Sequence, residues 1–101
     1  MNRETSCTNA HRGHFYFDPD DPIYQDHFPR HPVVPGSLIV HAFIQALNAN
    51  GQRRRSWSAS NFRFKRFLSP GRYAFCIEPR PDGRMACSLY DEKTAVVTGV
   101  L

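Results

Sequence analysis

Two histidines in this sequence could carry proton chemistry. His27 opens the segment His27-Phe28-Pro29-Arg30-His31-Pro32-Val33-Val34-Pro35-Gly36, and His41 follows in the apolar stretch after it. An imidazole with an ordinary pKa of ~6.5 exchanges protons near neutrality, so either ring can act as general base or general acid. Pro29 and Pro32 stiffen the loop that carries His27, which would fix the aim of its ring. The competing reading is a loop histidine bonded only to backbone. Gly36 offers different chemistry: at the start of a helix its amide is an orphan donor at the positive end of the dipole. The competing reading there is a glycine needed for close packing. His31 follows His27 by four, but the prolines forbid a helix, so the pair is no helical metal motif. With no acidic or Cys companion at a recognisable spacing, no metal is expected. Asp26 is adjacent to His27, and neighbours on an extended segment point apart.

These residues need a frame. Residues 37–50, from Ser37 to Asn50, read as one helix, with Pro35 and Gly36 suiting its start and Gly51 its end. Apolar side chains lie nearly all round it, which predicts a buried helix. Its polar stripe is Ser37, His41, Gln45 and Asn48. Upstream, His11 to Phe17 reads as a strand, broken by the turn Asp18-Pro19-Asp20-Asp21-Pro22. Downstream, Trp57 to Phe67 alternates locally, with Phe62 and Phe64 on one face and Arg63 and Lys65 on the other. Phe67 breaks that parity, which predicts a bulge near Arg66. Tyr73, Phe75 and Ile77 alternate next, then Met85, Cys87 and Leu89 after the loop 79–83, and Thr94 to Leu101 is a last strand. The expected fold class is α+β: a curved antiparallel sheet wrapped around one long central helix.

Composition agrees with one domain. The chain has 101 residues, 41% hydrophobic and 22% charged, which suits one modest core and excludes a disordered chain. Residues 1–10 are polar and expected to be a flexible N-terminus, leaving 11–101 as the single domain. No repeat is visible. No apolar run approaches the ~20 residues that cross a bilayer. Met1 to Cys7 lacks the apolar region of a secretory signal, so a cytoplasmic protein that does not engage membrane is expected. Three cysteines without CxxC spacing argue against a disulfide scaffold or a zinc ribbon. The net charge of +4 favours an acidic partner.

The run His27-Phe28-Pro29, Pro32-Val33, Pro35-Gly36, Ala42 and Gln45 resembles the hot-dog-fold 3-hydroxyacyl-acyl-carrier-protein dehydratases of fatty-acid synthesis. Asp21-Pro22-Ile23-Tyr24-Gln25 looks like that family's lead into the motif. Asn61-Phe62-Arg63-Phe64 and Phe67-Leu68-Ser69-Pro70-Gly71 look like its strand and turn after the helix. The resemblance covers roughly residues 11–101 and implies a hot-dog fold. Two departures stand out. The family has an acidic residue where this chain has His41, and its usual N-terminal segment has no counterpart here.

The resemblance implies dehydration of a 3-hydroxyacyl thioester. That reaction needs a base for the C2 proton, donors for the enolate-like oxygen and an acid for the leaving hydroxyl. The implied roles are His27 as base, Gly36 as oxyanion donor, and His41 as acid across a dimer interface. Phe28, Val34 and Gln45 would contact substrate, with Gln45 bonding within the site or orienting His41. Two imidazoles in one site titrate as a pair, and a neutral His27 beside a protonated His41 is the productive state. No cofactor is required, because the thioester itself acidifies the C2 proton. The competing reading of His41 is a satisfied core histidine in a chain that has lost activity.

Partners follow from charge. Arg30, Arg63, Lys65 and Arg66 form part of a basic concentration that would steer an acidic acyl carrier protein, and Arg53 to Arg55 add to it. Nucleic acid is the rival. It would want aromatics exposed between the basic residues, whereas alternation turns Phe62 and Phe64 toward the core, so no nucleic acid is expected. The expected assembly is a homodimer, or a heterodimer with a related hot-dog subunit, from which a higher oligomer could be built. The alternative function is a non-catalytic subunit that pairs with an acid-bearing homologue. A thioesterase is disfavoured because the helix offers no carboxylate to activate water.

Overall fold

The computed structural model describes residues 11–26, 32–51 and 56–101. Residues 1–10, His27, Phe28, Arg30, His31 and Arg53 to Arg55 lie outside them. Strand β1 is His11–Phe17, followed by a single helical turn α1 (Ile23–Asp26) and the long helix α2 (Gly36–Ala49). Strands β2 (Ser60–Phe64), β3 (Gly71–Pro79), β4 (Met85–Asp91) and β5 (Thr94–Val100) complete one antiparallel sheet in the order β1-β3-β4-β5-β2. This is the α+β hot-dog fold that the sequence predicts.

Local chemistry explains the elements. In β1, Phe15 and Phe17 are buried while His14 and Tyr16 are exposed, the period of two expected of a half-covered strand. The turn after it is held by aspartates: Asp18 Oδ1 accepts from the Asp20 amide at 2.9 Å, and Asp21 Oδ1 accepts from the Ile23 amide at 3.0 Å. Helix α2 starts at Pro35, whose φ of −61° and ψ of 141° set the extended entry. Its carbonyl accepts from the amides of Leu38 at 3.0 Å and Ile39 at 3.2 Å. The helix stops at Asn50, and Gly51 follows with a φ of +87°, a conformation that glycine adopts without strain.

The core lies between α2 and the sheet. Ile39, Phe43 and Leu47, each four residues from the next, are the buried residues of the helix. Phe43 meets Phe15 edge-to-face at a centroid distance of 5.0 Å, and Phe15 stacks on Phe75 at 4.2 Å. Ile77, Cys87, Leu89 and Val97 floor the cluster. Cys87 is a buried free thiol whose pKa burial pushes up to about 12. Since the thiolate is the nucleophile, Cys87 in the native protein is expected to resist iodoacetamide at pH 8 and to react once denaturant is added, as mass spectrometry would show. The shift also disfavours the folded state in alkali. Its contribution is fully present below pH ~8.5 and is lost as pH climbs toward about 12.

Two expectations need correction. The helix is not buried all round: Leu38, Val40, Ala42, Ile44 and Ala46 are only partly covered, because one sheet can shield only one stripe of a helix. The irregularity in β2 falls between Ser60 and Arg63, at Asn61 with φ +55°, and not near Arg66. Asn tolerates that left-handed geometry better than most residues, so the extra residue is absorbed there. Pairing then ends at Phe64, and Phe67 is 87% exposed.

Candidate functional site

The outer face of α2 forms one wall of a cavity of about 520 Å³. His41 and Gln45, one turn apart and both exposed, supply its polar groups from the helix, with Leu38, Ala42 and Ala46 between them. Strand β1 supplies His14 to Phe17 opposite, the turn supplies Asp18 and Asp21, and Tyr24 of α1 and Phe75 of β3 complete the lining. The structure therefore brings together two of the residues picked from the sequence, His41 and Gln45. The rest of the polar stripe does other work: Asn48 Oδ1 accepts a hydrogen bond from Trp57 Nε1 at 3.4 Å.

Gly36 and Val34 belong to a second, apolar cavity of about 360 Å³ at the start of α2, walled by Val33, Pro35, Ile39, Phe64, Arg66, Phe67 and Leu68. The Val34 amide donates to the Leu68 carbonyl at 2.8 Å, which ties the entry loop to the segment after β2. Proline as N-cap brings no side-chain cap, and the amides of Gly36 and Ser37 have no acceptor among the described residues. Gly36 also packs closely: a Cβ there would lie 3.1 Å from Cζ of Phe64. Both readings of this glycine, bare donor and close-packing residue, therefore keep their physical basis.

Gly36 and His41 do not share a cavity. Five residues on a helix turn the side-chain direction by roughly 140° from its starting point. The two cavities accordingly have no lining residue in common. Within one chain, the bare helix end and the imidazole face different ways.

The basic group is only partly as expected. Arg63, Lys65 and Arg66 are exposed, and Arg66 is ion-paired with Asp91. Phe62 packs against the core, but Phe64 is 43% exposed. The alternation that set nucleic acid aside thus holds for Phe62 and fails for Phe64, because the shift at Asn61 and the end of pairing place Phe64 at the rim of the sheet.

Sequence reasoning missed His14, Asp18, Asp21 and Tyr24 as lining residues. Outward alternation in β1 was the available signal for His14. Asp21 and Tyr24 stand in the lead-in to the motif, but nothing in their spacing announces a cavity. Burial pushes the Tyr24 phenol up, and the nearby Asp21, Asp18 and Tyr73 add to the shift, so it stays a neutral donor. No helix among the described residues is long and apolar enough to cross a membrane.

Comparison with known families settles the relationship, since the ApeI-like model, described as ApeI dehydratase, matches residues 3–98. The chain belongs to the ApeI-like dehydratase family. This ApeI-like chain is also similar to 3-hydroxyacyl-(acyl-carrier-protein) dehydratases named FabZ. That of Pseudoalteromonas translucida (strain TAC 125) is 30% identical over 94 residues, covering 68% of this chain and 63% of the relative. That of Shewanella loihica (strain ATCC BAA-1088 / PV-4) is 30% identical over 95 residues, covering 68% and 62%. That of Xylella fastidiosa (strain M12) is 36% identical over 63 residues, covering 52% and 39%. The ApeI-like chain thus spans between 39% and 63% of the length of these relatives.

Proposed function

We propose that this ApeI-like chain removes water from 3-hydroxyacyl thioesters carried on acyl carrier protein. His27 takes the C2 proton, and the resulting enolate-like oxygen is held by the Gly36 amide. The electron pair then forms the C2–C3 double bond as the C3–O bond breaks. His41 protonates the departing hydroxyl, which leaves as water. Val34 lines the acyl path on the Gly36 side, Phe28 contacts the chain, and Gln45 steadies the His41 side. No cofactor takes part, since the thioester supplies the acidity.

The observation that carries this reading is the arrangement of α2. It offers a bare amide end to one cavity and an imidazole to another, roughly 140° around the same rod. Two copies related by a two-fold axis can bring the amide end of one against the imidazole of the other. The partly covered Val40 and Ile44 favour such an assembly, because a second chain would bury them. The homodimer is therefore our reading, with Arg30, Arg63, Lys65 and Arg66 facing an acidic carrier protein and a cytoplasmic location to match.

The test is direct. The purified protein is incubated with 3-hydroxyacyl carrier protein, and mass spectrometry follows the loss of one water. Gly36 decides the oxyanion role. Gly36→Pro removes the amide hydrogen yet suits the first helical position after an extended residue. Gly36→Ala keeps that hydrogen and adds the same close contact with Phe64. Gly36→Pro is expected to lower kcat about 10²-fold, with Tm near that of Gly36→Ala, which stays within about tenfold of wild type. Equal rates in the two variants would remove the amide from the mechanism.

A further inference from the structure

The Tyr24 side chain is 5% exposed, its hydroxyl is buried, and that hydroxyl has no hydrogen-bond partner among the described residues. A buried hydroxyl left unpaired is costly, and native structures rarely keep one without a use. None of its polar neighbours among the described residues bonds to it. Asp18 Oδ1 and Asp21 Oδ1 accept from backbone amides, and the Tyr73 hydroxyl donates to the Ser69 carbonyl at 2.7 Å. Tyr24 nevertheless walls the same cavity as His41 and Gln45. A protein that keeps a phenol here where phenylalanine would fill the space gains nothing from the oxygen unless something in the cavity accepts from it.

We propose that the Tyr24 hydroxyl is a substrate-binding group that donates a hydrogen bond to the 3-hydroxyl oxygen of the acyl chain in the His41 cavity. The inference rests on the dehydratase reading and adds to it a selector for the hydroxylated chain. The assignment to this oxygen follows from the division of the cavities. The thioester carbonyl belongs with the Gly36 amide, whereas the departing hydroxyl belongs with the group that protonates it. Burial first, then the nearby Asp21 and Asp18, disfavours a phenolate, so the group remains a donor at neutral pH. A donor on the hydroxyl oxygen orients the C3–O bond for departure and discriminates against a chain that lacks the hydroxyl, which would leave the phenol unpaired.

Binding tests this without turnover. The probes are 3-hydroxyoctanoyl and octanoyl pantetheine analogues in which an amide nitrogen replaces the thioester sulfur, so that C2 is too weakly acidic to react. The wild-type protein is expected to bind the hydroxylated probe about tenfold more tightly by calorimetry, and Tyr24→Phe is expected to bind the two alike. In the same variant Tm should rise by a few degrees, since an unpaired buried hydroxyl is gone, while water loss from the thioester substrate slows. A tyrosine kept only for packing predicts instead that wild type and Tyr24→Phe discriminate between the two probes to the same extent. That result, or a wild-type protein that binds neither probe, overturns the proposal. A wild-type protein that shows the Tyr24-dependent preference but releases no water from the thioester would overturn the dehydratase reading and leave the binding assignment standing.

Discussion

His41→Ala is expected to lower the rate of water loss by about 10²–10⁴-fold, the usual worth of a positioned general acid. The side chain is exposed on α2 and lines the larger cavity, so removing it deletes no core contact, and Tm should hold. Loss of rate with an unchanged melt is the signature of chemistry. Loss of both would return His41 to a structural role. His41→Glu restores a proton donor at the same position and is expected to recover much of the rate with a different pH profile. If His41→Glu alone is active and the natural protein is inert, this chain is a subunit that depends on an acid-bearing partner. The proposed two-chain site has its own signature. Mixed and reassembled His27→Ala and His41→Ala proteins should regain about a quarter of wild-type activity, because half the dimers are hybrids with one intact site.

Phe43→Ala should cost the fold about 3–5 kcal/mol. Phe43 has no exposed surface and sits where helix and sheet meet, with the rings of Phe15, Phe75 and Phe62 at 5.0, 6.2 and 6.3 Å. Truncation removes the apolar transfer free energy and leaves a cavity that rigid neighbouring rings fill poorly. Against a total stability of about 5–15 kcal/mol, urea titration of the variant should show a transition at much lower denaturant or none. Phe67→Ala is the control: a residue of the same type that is 87% exposed should shift the transition by no more than about 0.5 kcal/mol. Equal effects at the two positions would mean that the core is not where this structure puts it.

The frame was legible because its signals are local. Pro35, Gly36 and Gly51 bracket α2 to within one residue at each end, and the alternation of Met85, Cys87 and Leu89 reappears as three buried side chains along β4. What escaped depends on partners far along the chain. Parity about Phe67 suggested a bulge near Arg66, but pairing with β5 puts the extra residue at Asn61 and leaves Phe64 at the rim. An apolar stripe announces that it will be covered but not by what, so Leu38, Val40 and Ile44 read as core although a single chain leaves them partly bare. At the site, His41 and Gln45 were found by their helical spacing. Tyr24 was not, because its importance lies in a hydrogen bond it lacks, and that is a property of packing. The Pro-rich segment that carries His27 was the richest signal in the sequence, and His27 lies outside the described residues.

The strand order has a temporal meaning. Residues 71–100 form a meander in which β3 pairs with β4 and β4 with β5, each with the strand next made, whereas β1 and β2 occupy the two rims and pair only with β3 and β5. A ribosome delivers the rims and the aromatic rod first, and neither rim has a ladder to join until the middle exists. During synthesis Phe15, Phe17 and Phe43 therefore wait uncovered for the strands that will shelter them, so the half of the chain that carries His41 and Gln45 is also the half most in need of protection before the fold can close.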